Sequence, residues 1–117
     1  MIRLLLIILV FPAFLTAQEA GNRLSLLFMG DVMGHGPQVE GAYDAKTKQY
    51  DYEPVFAKIK HKFAEADFAI ANLEVTLGGK PYKGYPQFSS PDALAVACQN
   101  SGIDVLVTAN NHTCDRG

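Results

Sequence analysis

The run Leu24-Ser-Leu-Leu-Phe-Met-Gly-Asp31 is almost wholly apolar and stops at Gly30-Asp31. Such a run suits a strand covered on both faces, as in a parallel sheet packed by helices. Two later stretches repeat it. Asp67-Phe-Ala-Ile-Ala-Asn72 leads into Asn72-Leu73-Glu74, and Ile103-Asp-Val-Leu-Val-Thr-Ala109 leads into Asn110-Asn111-His112. Apolar strands separated by helical segments imply right-handed parallel crossovers. The expected fold is therefore an α/β layered domain with the order β-α-β-α-β.

The segments between the strands are less uniform. Residues 32–53 are rich in Gly, Tyr, Asp and Lys and show no clean period. They read as a long loop at the carboxyl end of the first strand, where loops tend to be functional. Glu53-Pro54 opens a helix, with Pro at an early position where a missing N–H costs nothing. Val55, Phe56, Ile59 and Phe63 recur at helical spacing, while Lys58, Lys60, Lys62 and Glu65 point elsewhere. His61 belongs to that polar face and reads as a surface residue. The loop from Gly78 to Phe88 holds Tyr82, Tyr85 and Phe88, which either line a substrate groove or pack the loop. Ser90-Pro91-Asp92 is a helix start with a hydroxyl N-cap. Leu94, Ala97, Cys98 and Ser101 form the inner face of that helix, and Gly102 stops it.

Residues 1–17 have one basic residue near the start, an apolar core and a small residue at the end. They read as a signal peptide, cleaved after Ala17 or Ala20, and too short and weakly flanked for a membrane span. The chain is thus expected to be exported. An uncleaved segment would keep it near a membrane. A net charge of −2 without a basic patch argues against nucleic acid as a partner. Cys98 falls on an apolar helix face and Cys114 follows a polar motif. Nothing in the spacing places the two within bonding distance, so free thiols are favoured over a disulfide.

Parallel strands present their carboxyl ends on one edge of the sheet, and ligand sites of open α/β sheets lie outside that edge. Asp31, Asn72, Glu74, Asn110, Asn111 and His112 converge there. Each has a plainer reading alone: Asp31 as a turn cap, Asn72 satisfying loop backbone, Glu74 as an exposed acid. The Asn110-Asn111 pair suits a tight turn, and His112 a structural imidazole. Their fall at three equivalent strand ends favours a shared site. The mixed oxygen and nitrogen set suits a divalent metal such as Mn, Fe, Zn or Mg. His35, in Gly34-His35-Gly36, is within range of the site. Asp115 either orients the His112 ring by a hydrogen bond from behind or caps the loop.

Gly30-Asp31-Val32-Met33, Asn72-Leu73-Glu74 and Ala109-Asn110-Asn111-His112-Thr-Cys-Asp115-Arg-Gly117 resemble the motifs of CapA-type proteins. Pro86-Gln-Phe88-Ser-Ser-Pro91 and the Ala-rich helix after it fit the same family. These are capsule or poly-γ-glutamate synthesis proteins of bacteria, related to the calcineurin-like metallophosphoesterases. The resemblance covers residues 24–117. It implies a layered α/β/β/α fold and a two-metal site. Asp31 matches the first metal carboxylate, Glu74 the bridging acid, and Asn111 the amide ligand of an Asn-His pair. His112 matches the imidazole that contacts the leaving group. Two departures bear on the chemistry. The Asp-x-His start is absent, with His35 four residues on, and Asn-Leu-Glu replaces Gly-Asp-x-x-Asp.

The family would continue beyond Gly117 with a helix, more strands and further histidines. Residues 24–117 are therefore expected to be the N-terminal portion of a truncated CapA-like domain, inactive by itself. The first functional expectation is an exported protein acting on an anionic cell-envelope polymer or its precursor. If it is an enzyme, it is a metal-dependent, phosphoesterase-like hydrolase, with His112 as general acid or electrostatic stabiliser. The alternatives are a non-catalytic polymer-binding or scaffold module, or an inactive fragment.

Overall fold

The computed structural model describes residues 21–117. The signal-peptide reading of residues 1–17 falls outside them. Among these residues nine elements follow one another. They are β1 (Leu26–Val32), α1 (Gly36–Gly41), β2 (Tyr43–Asp44), β3 (Gln49–Tyr50), α2 (Glu53–Phe56), α3 (Lys60–Phe63), β4 (Phe68–Leu73), α4 (Ala93–Ser101) and β5 (Val105–Val107). Strands β1, β4 and β5 form a parallel sheet in that order, so the α/β expectation holds. Among the described residues no helix is long and apolar enough to cross a membrane.

The core lies on one side of the sheet. Ala69, Ala71 and Leu73 of β4 are buried, and the alternate residues Ile70 and Asn72 are only half-buried. Tyr52, Phe56, Phe63, Leu94, Ala97 and Cys98 close over that buried face. Among the described residues the other face is open. Phe28 is 70% exposed, and Leu26, Phe68, Val105 and Val107 are exposed with it. A first strand covered on both faces was expected, and β1 is covered on one. Its apolar run is two-sided in composition, but the described helices pack on a single side.

The segment 32–53 is more ordered than its composition suggests. It holds α1 and the hairpin of β2 and β3, paired Tyr43 to Tyr50 and Asp44 to Gln49. The hairpin turn is set by Asp44, whose carboxylate accepts from Lys46 N (2.8 Å) and Thr47 Oγ1 (3.0 Å). Two-residue strands are too short to show a period-2 pattern, so only the turn chemistry of Asp44 marks them.

The expected helix from Glu53 through Glu65 is broken into α2 and α3. Lys58 and Lys62 stack like charges at i,i+4 spacing, which weakens a continuous helix. The backbone tightens instead to i→i+3 bonds, Ile59 N to Phe56 O and Lys62 N to Ile59 O. Phe56 and Phe63 stay buried, whereas Val55 and Ile59 turn outward. His61 is exposed, as read.

Helix α4 follows its sequence closely. Leu94, Ala97, Cys98 and Ser101 are all buried, and Gly102 ends the helix at φ +101°. There Gly102 N donates to Gln99 O and Ile103 N to Cys98 O. The start differs from expectation. Asp92 holds the N-cap position, and the buried Ser90 hydroxyl has no partner among the described residues. Cys98 and Cys114 are both free thiols.

A side chain at Gly102 would meet the left-handed backbone penalty and press on Phe63 Cβ. Gly102→Ala should destabilise the chain by about 1–2 kcal/mol in urea unfolding. An unchanged midpoint would show that α4 does not end as described.

Candidate functional site

A register shift in β1 sets the site. Leu26, Leu27 and Phe28 pair with Phe68, Ala69 and Ile70, but Asp31 and Val32 pair with Asn72 and Leu73. One residue is therefore extra in β1 between Phe28 and Asp31. A one-residue slip exchanges the faces of a strand. Without it Asp31 would lie level with the buried Leu73. With it, Asp31 lies level with Asn72, and Val32 joins Leu73 in the core. Asp31 thus sits inside the last turn of pairing in β1 rather than just past the strand end.

Asn72 is the centre of the arrangement. Its Nδ2 donates to Asp31 Oδ1 at 2.9 Å and to Glu74 Oε2 at 2.8 Å. Its Oδ1 accepts from Asn110 Nδ2 at 3.0 Å. Asn110 Nδ2 also donates to Leu73 O at 3.0 Å, and Asn110 Oδ1 accepts from His112 N at 3.0 Å. Backbone groups at both ends have fixed roles, so the two amide orientations follow from them. His112 N–H can only donate, which makes its Asn110 partner an oxygen. The Asn110 amine must then face Asn72 Oδ1, and the Asn72 amine must face the two carboxylates.

His112 is held from several sides. Its Nδ1 lies 2.8 Å from Asp115 Oδ2, and its carbonyl accepts from Thr76 Oγ1 at 2.6 Å. The same Asp115 oxygen accepts from Phe88 N at 2.7 Å. Side chains of His112 and Asp115 are 13% and 12% exposed. Burial works to raise the Asp115 carboxyl, but the Phe88 N–H, the His112 hydrogen bond and the His112 charge together hold it below its ordinary 3.8. An ionised carboxylate only accepts, so the proton on the shared bond belongs to His112 Nδ1. The Nε2 is then the nitrogen left for chemistry.

The Phe88 ring stands edge-on to two imidazoles, His112 at 4.6 Å and His35 at 5.0 Å between centroids. His35 therefore reaches the site through Phe88 rather than through the polar chain. It is exposed and precedes α1, where its backbone N–H donates to Gln38 Oε1 at 2.8 Å. Phe88 itself is fully buried, which answers the open reading of that aromatic as packing. Gly84 presses against the His35–Gly36 backbone with no room for a Cβ, which docks this loop beside α1.

Asp31, Asn72, Glu74, Asn110, His112 and Asp115 are thus joined through side chains and the short backbone of one turn. Asn111 lies exposed on that turn and takes no part in the chain. Among the described residues, no group of three or more His, Cys, Asp and Glu side chains stands together as a metal cage. The oxygens that Asn72 leaves uncommitted at this edge are Asp31 Oδ2 and Glu74 Oε1. That set fits a hard cation that keeps several waters, such as Mg or Mn, better than an imidazole- or thiolate-rich Zn or Fe centre. From sequence, Asn72 is one member of the converging set, with satisfaction of loop backbone as its plainer reading. Its double donation was not visible, because it depends on the β1 register shift.

A family model described as bacterial capsule synthesis protein PGA_cap matches residues 25–117. The chain belongs to the PGA_cap family. Membership gives it a role in bacterial capsule synthesis. The PGA_cap match spans all the residues joined at the strand ends, as well as His35 and Phe88. No curated protein and no solved structure matches the chain.

Two outcomes follow from the site. Asn72→Ala leaves two neighbouring carboxylates without their shared donor, and should destabilise the chain by about 2 kcal/mol in urea unfolding. A loss no larger than that of Gln99→Ala would contradict the arrangement. Asp115 has a depressed folded pKa, so its contribution is present above its ordinary 3.8 and is lost as pH falls through the folded value. Thermal midpoints followed from pH 6 to 2 should drop less steeply in Asp115→Asn than in the parent chain. Parallel curves would show that Asp115 is not paired as described.

Proposed function

We propose that this PGA_cap protein works outside the cytoplasm on an anionic cell-envelope polymer or its precursor, poly-γ-glutamate or another capsule polymer, during synthesis, export or attachment. The apolar segment at residues 1–17 supports export, and left uncleaved it would hold the protein near the membrane. The observation that carries a chemical role is the Asp115–His112 pair, linked through Asn110 to the Asn72-bound carboxylates.

The proposed reaction class is hydrolysis or transfer at a bond of the polymer. Asp115 holds the His112 ring in one tautomer, so that Nε2 can take a proton from an attacking group and return it to a leaving group. Phe88 keeps water from one side of the ring. Asn72 fixes both carboxylates by one oxygen each, which leaves Asp31 Oδ2 and Glu74 Oε1 for other partners. Those oxygens, with the amide oxygen of Asn111, would hold a divalent cation. Such a cation would supply Lewis-acid polarisation or a more acidic bound water.

The test is calorimetry of the full chain with MnCl2 and MgCl2, followed by assay on poly-γ-glutamate. Asp31→Asn and Glu74→Gln should each weaken cation binding about tenfold or more. His112→Ala should retain cation binding and lose turnover. Cation binding that survives both carboxylate changes would overturn the site. Polymer binding without turnover in the loaded parent chain would favour a scaffold or polymer-binding role.

A further inference from the structure

The chain has no Trp and five Tyr, and all five lie at positions 43, 50, 52, 82 and 85. The fold gathers four of them, Tyr43, Tyr50, Tyr82 and Tyr85, on the hairpin and the loop beside it, while Tyr52 is buried in the core. Tyr43 and Tyr50 rings lie 5.1 Å apart, tilted by 51°, and Tyr50 and Tyr82 lie 5.1 Å apart, almost perpendicular. The three line a concavity of about 670 Å³, with Glu40 and Lys80 at its wall. A second concavity of about 370 Å³ adjoins it, sharing Glu40 and Tyr82 and adding Lys83 and Tyr85. Tyr85 is 76% exposed and Tyr43 44% exposed. Two adjoining hollows with shared walls make an elongated groove rather than a single-ring pocket.

We infer that this groove binds an acidic polysaccharide segment, its sugar rings against Tyr43, Tyr50, Tyr82 and Tyr85 and its carboxylates toward Lys80 and Lys83. Pyranose rings carry a face of C–H bonds that packs on an aromatic ring, and phenol hydroxyls serve the ring's own hydroxyls. Two lysines against one glutamate favour an acidic glycan over a neutral one. They are too few to hold a flexible polyanion that has no rings to stack.

The inference goes beyond the function proposed above, because the groove would hold a glycan whether or not His112 turns anything over. The groove also backs onto that site. Gly84, in its wall, packs on the His35–Gly36 backbone, and His35 touches Phe88. A polymer held there would lead toward the strand ends.

Tyrosine fluorescence gives a direct reading, since no Trp obscures it. The full chain is titrated with a galacturonic acid hexamer, with maltohexaose and poly-γ-glutamate in parallel. The acidic hexamer should saturate the signal and bind about tenfold or more tightly than either control. Tyr43→Ala and Tyr82→Ala should each weaken it about tenfold, and Tyr43→Phe should retain it. Amide shifts in the unaltered chain should move at residues 39–43, 49–52 and 80–87, which tests the groove without any substitution. Asp31→Asn should leave this affinity unchanged, so a failed strand-end site and a failed groove are told apart. No binding of the acidic hexamer, equal or tighter binding of either control, or shifts confined elsewhere would overturn the inference.

Discussion

The side-chain amide of Asn72 is the contact on which the functional edge depends. It donates to carboxylates from two strands and accepts from a residue after the third. Three strand ends that share only backbone pairing would leave Asp31 and Glu74 free to swing into solvent. One amide with both of its hydrogens committed removes that freedom. Hydrogen bonds to charged acceptors are the stronger kind, so this small group has leverage beyond its size.

That contact rests in turn on a backbone detail. The extra residue in β1 changes which side of the sheet Asp31 faces, and so decides whether its carboxylate meets Asn72 or the core. Sheet geometry then does the remaining work. Parallel β1, β4 and β5 end on one edge, and the turn after β5 swings His112 back under the Thr76 hydroxyl. Asp115, three residues on, closes behind the imidazole. The polar chemistry is assembled by topology and locked by a short series of hydrogen bonds.

Much of this was readable from residue order. The three apolar runs announced a parallel sheet, the inner face of α4 was identified residue by residue, and Gly102 marked its end. The convergence of Asp31, Asn72, Glu74, Asn110 and His112 followed from strand direction alone. What escaped was local and geometric. A register shift leaves no mark on composition, so the central role of Asn72 was hidden. The β2–β3 hairpin is too short for a periodic signal, and the break between α2 and α3 needed the Lys58–Lys62 repulsion to be weighed against helical spacing. The open sheet face of Leu26 and Phe28 reads in sequence just like a covered one.

Family membership in PGA_cap ties the chain to capsule synthesis, and the hydrogen-bonded edge is where we propose that role is carried out. The most direct test is the Asn72 side-chain amide itself, observed by NMR in the full chain. Both Nδ2 protons should exchange slowly and resonate apart from free amides, and Asp31→Asn should perturb one far more than the other. Two rapidly exchanging, equivalent protons at the positions of an exposed asparagine would contradict the account.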